Sequence, residues 1–305
     1  MPQGFCVRIA AAARTAASTH KIEIATSRGG ATRTDALARK MPGGGPDLDD
    51  LPAPEPLQTW PLAGGAKFVV ARGSVVGYRG TAIVNAANEG CLGGGGVDGA
   101  ISEAGGEALF LAREALPELE GRPGVRCACG DAKTTVGGDL PAQFVIHAVG
   151  PNYRGFREEA DPEKPDEGPG DVEDEFMADG LLYSAYQCAM VEARTQKMAS
   201  VGFSLLSSGI FRGRRPLGAV LRIGVLAIAA NAYPGLEEVA MVGFKESEIE
   251  ALAAEADAVF GAAALDAPEL LEGLGAKSLR EMHAAALGVL KTVDGAPAAA
   301  PAAAE

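Results

Sequence analysis

Short, almost wholly apolar runs ending in polar or glycine-bearing turns recur between residues 67 and 244, and segments of helical periodicity separate them. The runs 67–71, 81–87, 144–149, 200–206 and 239–244 are too brief for stable helices and are rich in Val, Ile and Phe. A strand is apolar along its whole length only when both faces of its sheet are covered. Segments 97–116, 181–197, 217–230 and 247–259 carry the period of amphipathic helices, and two further helical stretches are expected at 266–274 and 277–291. This alternation predicts an α/β domain with helices on both faces of a largely parallel sheet. Sheets of that kind take ligands in the crevice beyond the carboxyl ends of their strands.

The flanks differ in composition. Residues 1–40 hold seven basic residues against Glu23 and Asp35, with abundant Ala, Ser and Thr. That is the make-up of an organelle transit peptide, or of a plain basic arm. Residues 41–56 (MPGGGPDLDDLPAPEP) read as a Pro/Gly/Asp linker, and 293–305 as a low-complexity Ala/Pro tail. The domain is therefore expected over 57–292, with an acidic loop insertion at 153–179. Residues 157–179 hold eleven acids against Arg157 and Lys164, a net −9 of the chain's −13. The remainder is close to neutral and compatible with an anionic ligand. An acidic chain argues against general nucleic-acid binding, which needs cations to displace condensed counterions. No apolar run approaches the ~18 residues of a membrane span, so no membrane partner is expected. The expected location is intracellular: cytoplasmic or nuclear, or mitochondrial or plastid if the basic segment is a transit peptide. Five scattered cysteines suit a reducing compartment, and Cys127-Ala128-Cys129 lacks the two-residue spacer of common metal motifs. No metal or cofactor is expected.

The densest chemistry lies where the run 81–87 ends. Ala82-Ile83-Val84-Asn85-Ala86-Ala87-Asn88 delivers two asparagines to a strand end, and an amide that both donates and accepts can grip a sugar hydroxyl pair. Gly93, Gly94, Gly95 and Gly96 then remove four side chains just before the helix that opens at Val97. Such a turn lets backbone N–H groups approach a phosphate at the positive end of a helix. Asp98, in the first turn, is either a helix-start residue favoured by the dipole or a carboxylate able to orient or deprotonate a water. A second strand–loop–helix junction, Ser207-Ser208-Gly209-Ile210-Phe211, can clasp a diphosphate from the other side. Of Arg212, Arg214 and Arg215 beyond it, at least two read as solvated surface. No Ser-His-Asp or Cys-His grouping is visible.

Assembled, AIVNAAN (82–88), LGGGGVDGAI (92–101), DLPAQFVIHAVGP (139–151) and LLSSGIFRG (205–213) resemble the macrodomain family, in its MacroD-type hydrolase branch. The resemblance implies a three-layer α/β/α macrodomain with a central mixed, mostly parallel sheet of about six strands and an ADP-ribose cleft at its crest. It further implies removal of mono-ADP-ribose from acidic side chains and deacetylation of O-acetyl-ADP-ribose, with ADP-ribose or ADP-ribosylated proteins as partners. A non-catalytic ADP-ribose reader is the alternative. By motif position Asn88 resembles the distal-ribose and catalytic asparagine, and Asp98 the aspartate that positions the attacking water. Asn85 is a ligand-binding candidate at the strand end, and Gly94, Gly95, Gly96 and Val97 would form the first ligand loop. Ser207, Ser208, Gly209, Ile210 and Phe211 fall in the diphosphate loop. Ser74 and Val75 stand where the family commonly has an adenine-binding Asp and its neighbour, and Phe244 is a candidate to stack on adenine. Ser102 replaces a histidine usual in the family. His147, inside a family motif, reads as structural.

Overall fold

The computed structural model describes residues 51–154 and 172–261. The expected basic segment 1–40, the helical stretches 266–274 and 277–291, and the tail 293–305 lie outside the described residues. Seven described strands form one mixed sheet: β1 (Glu55–Pro61), β2 (Lys67–Arg72), β3 (Ala82–Ala86), β4 (Ala132–Val136), β5 (Phe144–Ala148), β6 (Ser200–Phe203) and β7 (Glu238–Gly243). They lie in the order β1-β2-β7-β6-β3-β5-β4. The five inner strands are parallel, and β1 and β4 close the edges antiparallel to β2 and β5. The described helices are α1 (Val97–Glu114), α2 (Val172–Thr195), α3 (Leu217–Ala230) and α4 (Glu246–Phe260).

Because successive strand residues point to opposite faces, alternate residues fill two cores. Phe68 and Val70 of β2, Val84 of β3, Ile146 of β5 and Met241 of β7 pack with α2, α3 and α4. Their neighbours Val69, Ala71, Ile83, Val145 and Val242 pack on the other face with Ile101, Ala104 and Leu109 of α1. The result is the expected three-layer α/β/α arrangement. The same alternation puts Asn85 and His147, two residues on from Ile83 and Val145, on the α1 face.

The sheet has seven strands rather than about six, and the differences sit at its edges. β1 begins at Glu55, inside the expected linker, and most of its residues are exposed. Its strand character comes from pairing with β2, not from an apolar pattern of its own. Helix α1 is broken at Gly106, whose φ of +63° no helical residue adopts. The carbonyl of Gly105 instead accepts the Asp139 N–H at 3.1 Å.

The acidic segment expected to loop as far as residue 179 is helical from Val172. Asp179 explains why: it is almost wholly buried and accepts from Arg215 Nε at 3.2 Å, Arg215 NH2 at 2.6 Å and the Tyr153 hydroxyl at 2.8 Å. Glu175, one turn earlier, takes Arg215 NH1 at 3.1 Å. Arg215 is thus a buried strut between α2 and the start of α3, not a solvated surface residue. Removing one partner of a buried pair strands the other charge, at a cost of about 3–5 kcal/mol. Asp179→Ala is therefore expected to lower the unfolding free energy by about that much. Adding Arg215→Met should restore part of it, measured as a urea-denaturation double-mutant cycle; additive losses would contradict the pairing.

Candidate ligand-binding and catalytic site

The loops at the carboxyl ends of the parallel strands bring the expected residues to one crest. In the strand order β2-β7-β6-β3 they line up as Ser74, Phe244, the 207–211 loop and the Asn85–Asp98 segment. The first two are neighbours, since Gly73 N–H donates to Gly243 O at 2.9 Å.

At the β3 end the site is built from the inside out. Strand register sets Asn85 beside His147, both wholly buried. Asn85 Nδ2 spends its two hydrogens on Asp98 Oδ1 (2.8 Å) and His147 Nδ1 (3.2 Å). On the far side of the ring, His147 Nε2 meets Thr135 Oγ1 at 2.9 Å. Thr135 gives its own hydrogen to the Val136 carbonyl. The imidazole therefore donates from Nε2 and accepts at Nδ1.

Arg113, at the other end of α1, folds back under the loop and is 1% exposed. Its NH2 donates to Asp98 Oδ1 at 2.7 Å, its NH1 to Ser102 Oγ at 2.7 Å, and its Nε to the Cys91 carbonyl. Ser102 passes its hydrogen to the Asp98 backbone carbonyl at 2.7 Å. Asp98 is itself buried, and its two oxygens differ. Oδ1 takes both Asn85 and Arg113, while Oδ2 has no hydrogen-bond partner among the described residues; Asn85 Oδ1 also has none.

Asn88 organises the glycine turn. Its Oδ1 accepts from the N–H groups of Gly90 (3.1 Å) and Cys91 (3.2 Å), and its Nδ2 donates to Gly93 O at 2.8 Å. One amide hydrogen is left over. A side chain at Gly94 would begin 3.0 Å from Asp98 Oδ2 and 3.3 Å from Asn88 Nδ2. A residue with a Cβ would crowd both atoms, and Asp98 Oδ2 is already enclosed by the protein. Gly96, with φ +64°, turns the chain into α1 at Val97.

In the second loop the hydroxyls of Ser207 and Ser208 are committed to the carbonyls of Pro151 (2.8 Å) and Leu205 (2.9 Å). What this loop offers a ligand is backbone, through Gly209 and the single 3-10 turn Ile210–Arg212. Ile210 and Phe211 are exposed, and Arg212 is tied to the loop's own carbonyls at Ser208 and Arg215. At the β2 end, Ser74 caps the 3-10 turn Val75–Gly77 by accepting from Val76 N–H at 3.3 Å. Val75 is buried, whereas Phe244 is 77% exposed at the crest.

Two members of the network were not singled out as functional from sequence: Arg113 and Thr135. Arg113 carried a signal, since it shares the α1 face of Asp98, Ile101, Gly105 and Leu109, and a cation on an apolar face is rarely buried without a partner. Thr135 carried none. Among the described residues, no group of three or more His, Cys, Asp or Glu side chains is placed to hold a metal. No described helix is long and apolar enough to cross a membrane.

A sheet of this order with a glycine turn under a buried Asn-Asp-Arg set defines a class, and the comparisons identify it. The macro domain family model matches residues 84–167. A macro domain-containing protein of Cupriavidus necator is 37% identical over 182 residues, covering 60% of this chain and 92% of its own. An O-acetyl-ADP-ribose deacetylase of Pantoea vagans is 33% identical over 178 residues, covering 58% and 91%. Among solved structures, the Oceanobacillus iheyensis macrodomain with ADP superposes with a TM-score of 0.52 at 25% identity, covering 67% of this chain and 94% of that one. The chain belongs to the macrodomain family.

His147 also gives the site a pH signature. Burial first, and the Arg113 cation second, push its pKa down from 6.5 to about 3. Between those values the unfolded chain binds a proton that the folded chain refuses. The stability present above pH 6.5 is therefore lost as pH falls, by up to about 1.4 kcal/mol per unit. Going from pH 7 to pH 5 should remove about 2 kcal/mol through this group. Guanidinium unfolding of wild type and His147→Asn at both values checks this: the variant's loss should be smaller by about that amount.

Proposed function

We propose that this macrodomain binds ADP-ribose derivatives across its crest and hydrolyses an acyl ester on the distal ribose. The substrates are mono-ADP-ribose esters of acidic side chains, O-acetyl-ADP-ribose, or both. The observation that carries the reading is the division of labour at Asp98. A carboxylate with one oxygen saturated by Asn85 and Arg113, and the other buried beside Gly94 without a hydrogen-bond partner, is fixed in orientation and keeps one oxygen in reserve for a water or a proton.

The crest order supports one ligand orientation. Adenine lies between Ser74 and Phe244, the diphosphate between the 207–211 loop and the backbone of Gly94, Gly95, Gly96 and Val97, and the distal ribose by Asn88. The positive end of α1 favours the phosphates. Asn88 turns its spare amide hydrogen to a ribose oxygen. A water on Asp98 Oδ2 adds its oxygen to the acyl carbon while Oδ2 takes its proton. The acyl–oxygen bond then breaks, and that proton passes to the departing ribose oxygen, leaving a free acid and ADP-ribose. Asn85 touches no ligand in this scheme; it holds Asp98. Positioning supplies most of the rate such a site can offer. The named activity of the Pantoea vagans relative points the same way, as does the ADP in the Oceanobacillus iheyensis structure.

The test is release of ADP-ribose from a glutamate-modified protein, and of acetate from O-acetyl-ADP-ribose. Asp98→Asn, whose side-chain oxygen still accepts from Asn85 and Arg113, is expected to lower turnover by about 10²–10⁴-fold with ADP-ribose still bound by calorimetry. Wild-type binding without turnover would favour a reader, and absence of binding would end both readings. Gly94→Ala should cost about 10²-fold in turnover, because its methyl, 3.0 Å from Asp98 Oδ2 and 3.3 Å from Asn88 Nδ2, forces both groups to shift. At the other end, Ser74→Asp should tighten ADP-ribose binding about tenfold by making the bond to the adenine amine charge-assisted. Unchanged or weaker affinity would remove adenine from that position.

A further inference from the structure

We propose that His147 is a positioning residue for Asp98: through Asn85 it determines which oxygen of that carboxylate is left to hold water. The proposal rests on the hydrolase reading and concerns the same site.

The natural partner geometry of a carboxylate and a guanidinium is the two-pronged one, with both oxygens taken by parallel N–H bonds. At Asp98 that arrangement would consume the oxygen the reaction needs. Two contacts stand against it. Arg113 Nε gives its single hydrogen to the Cys91 carbonyl and NH1 gives one of its two to Ser102 Oγ at 2.7 Å, and NH2 is the guanidinium nitrogen bonded to Asp98. Asn85 Nδ2 supplies the second donor to the same oxygen, Oδ1, from the sheet side. With both donors on Oδ1, rotation of the carboxylate toward the guanidinium fork would break the Asn85 bond.

The Asn85 bond exists only for one orientation of its amide. Turned over, the amide would set its oxygen against Asp98 Oδ1, acceptor against acceptor. His147 selects the correct orientation, because its Nδ1 is an acceptor and so requires Nδ2 on that side. Nδ1 is an acceptor because the ring proton sits on Nε2, and it sits there because the Thr135 hydroxyl hydrogen is already given to Val136 O. A directed chain therefore runs from the edge strand β4 through β5 and β3 to the carboxylate of α1. A protonated ring would reverse its last link, since both nitrogens would then donate. Burial and the Arg113 cation of α1 keep His147 neutral. Asn85 of β3 and Thr135 of β4 bond its two ring nitrogens, the Asp98 carboxylate of α1 stands beyond Asn85, and the Cys127 thiol meets its backbone carbonyl.

The experiment compares His147→Asn with His147→Gln. An Asn side-chain oxygen stands where Nδ1 was and keeps accepting from Asn85. A Gln amide reaches the former place of Nε2, keeping Thr135 and losing the acceptor. Turnover in the Gln variant is expected to fall about 10²-fold, the Asn variant is expected to recover at least ~10-fold of that, and ADP-ribose Kd is expected to stay within about twofold in both. Equal losses in the two variants, or a Kd that weakens in step with turnover, would overturn the proposal in favour of a merely structural role. A second readout needs no turnover: imidazole ¹⁵N spectra of the wild type. They should report a neutral ring protonated on Nε2 from pH 5 to pH 8, with the Nδ1 resonance shifting in Asp98→Asn. A ring protonated on Nδ1, or an Nδ1 signal indifferent to residue 98, would overturn the proposal whatever the enzyme assays give. An inactive wild type with the expected spectra would count against the hydrolase reading alone.

Discussion

The buried ion pair between Asp98 and Arg113 is the interaction on which the rest of the crest depends. Neither side chain has more than a few per cent of its surface in water. Desolvating two charges costs several kcal/mol per ion, and their attraction repays this only where further hydrogen bonds satisfy both groups. Here Arg113 is satisfied by Asp98, Ser102 and Cys91, which ties the first turn of α1 to the loop in front of it. Asp98 is satisfied on one oxygen only. A hydrophobic pair of similar size would stabilise the fold at least as well, so stability alone does not account for the arrangement. In the proposed hydrolysis the unpartnered buried oxygen beside Gly94 is the one that takes the water's proton.

The sheet makes this geometry possible. Period-two alternation sends Asn85 and His147 to the α1 face, and parallel register sets them side by side. A slip of one residue would send both to the face covered by α2, α3 and α4. The same sheet order spaces Ser74, Phe244 and the 207–211 loop along the crest. Helix α1 needs its break at Gly106 as well, because that is where Gly105 turns its carbonyl to the Asp139 N–H.

Much of this was legible in the sequence, for identifiable reasons. The five inner strands are apolar on both faces, so their own residues announce them. The edge strands β1 and β4 do not: Glu-Pro-Leu-Gln-Thr-Trp-Pro and Ala-Lys-Thr-Thr-Val become strands through the neighbours they pair with. The helical start at Val172 was hidden by the run of acids, two of which, Glu175 and Asp179, have their partner Arg215 some forty residues away. In the site, Asn88, Asp98 and the glycine turn are local in sequence and could be read together. Asn85 could be read as polar but not as interior, since its partners come from β5 and α1. Arg113 and Thr135 belong to the site only after folding.

In the proposed reaction Asp98 offers its unpartnered oxygen to a water beside the distal ribose. The most direct measurement is a high-resolution crystal structure with ADP-ribose bound. It should contain an ordered water on Asp98 Oδ2 facing the distal ribose, with Asn85 and Arg113 both on Oδ1. An Asp98 turned to give both oxygens to Arg113, or a distal ribose seated at the Ser74 end of the crest, would contradict it.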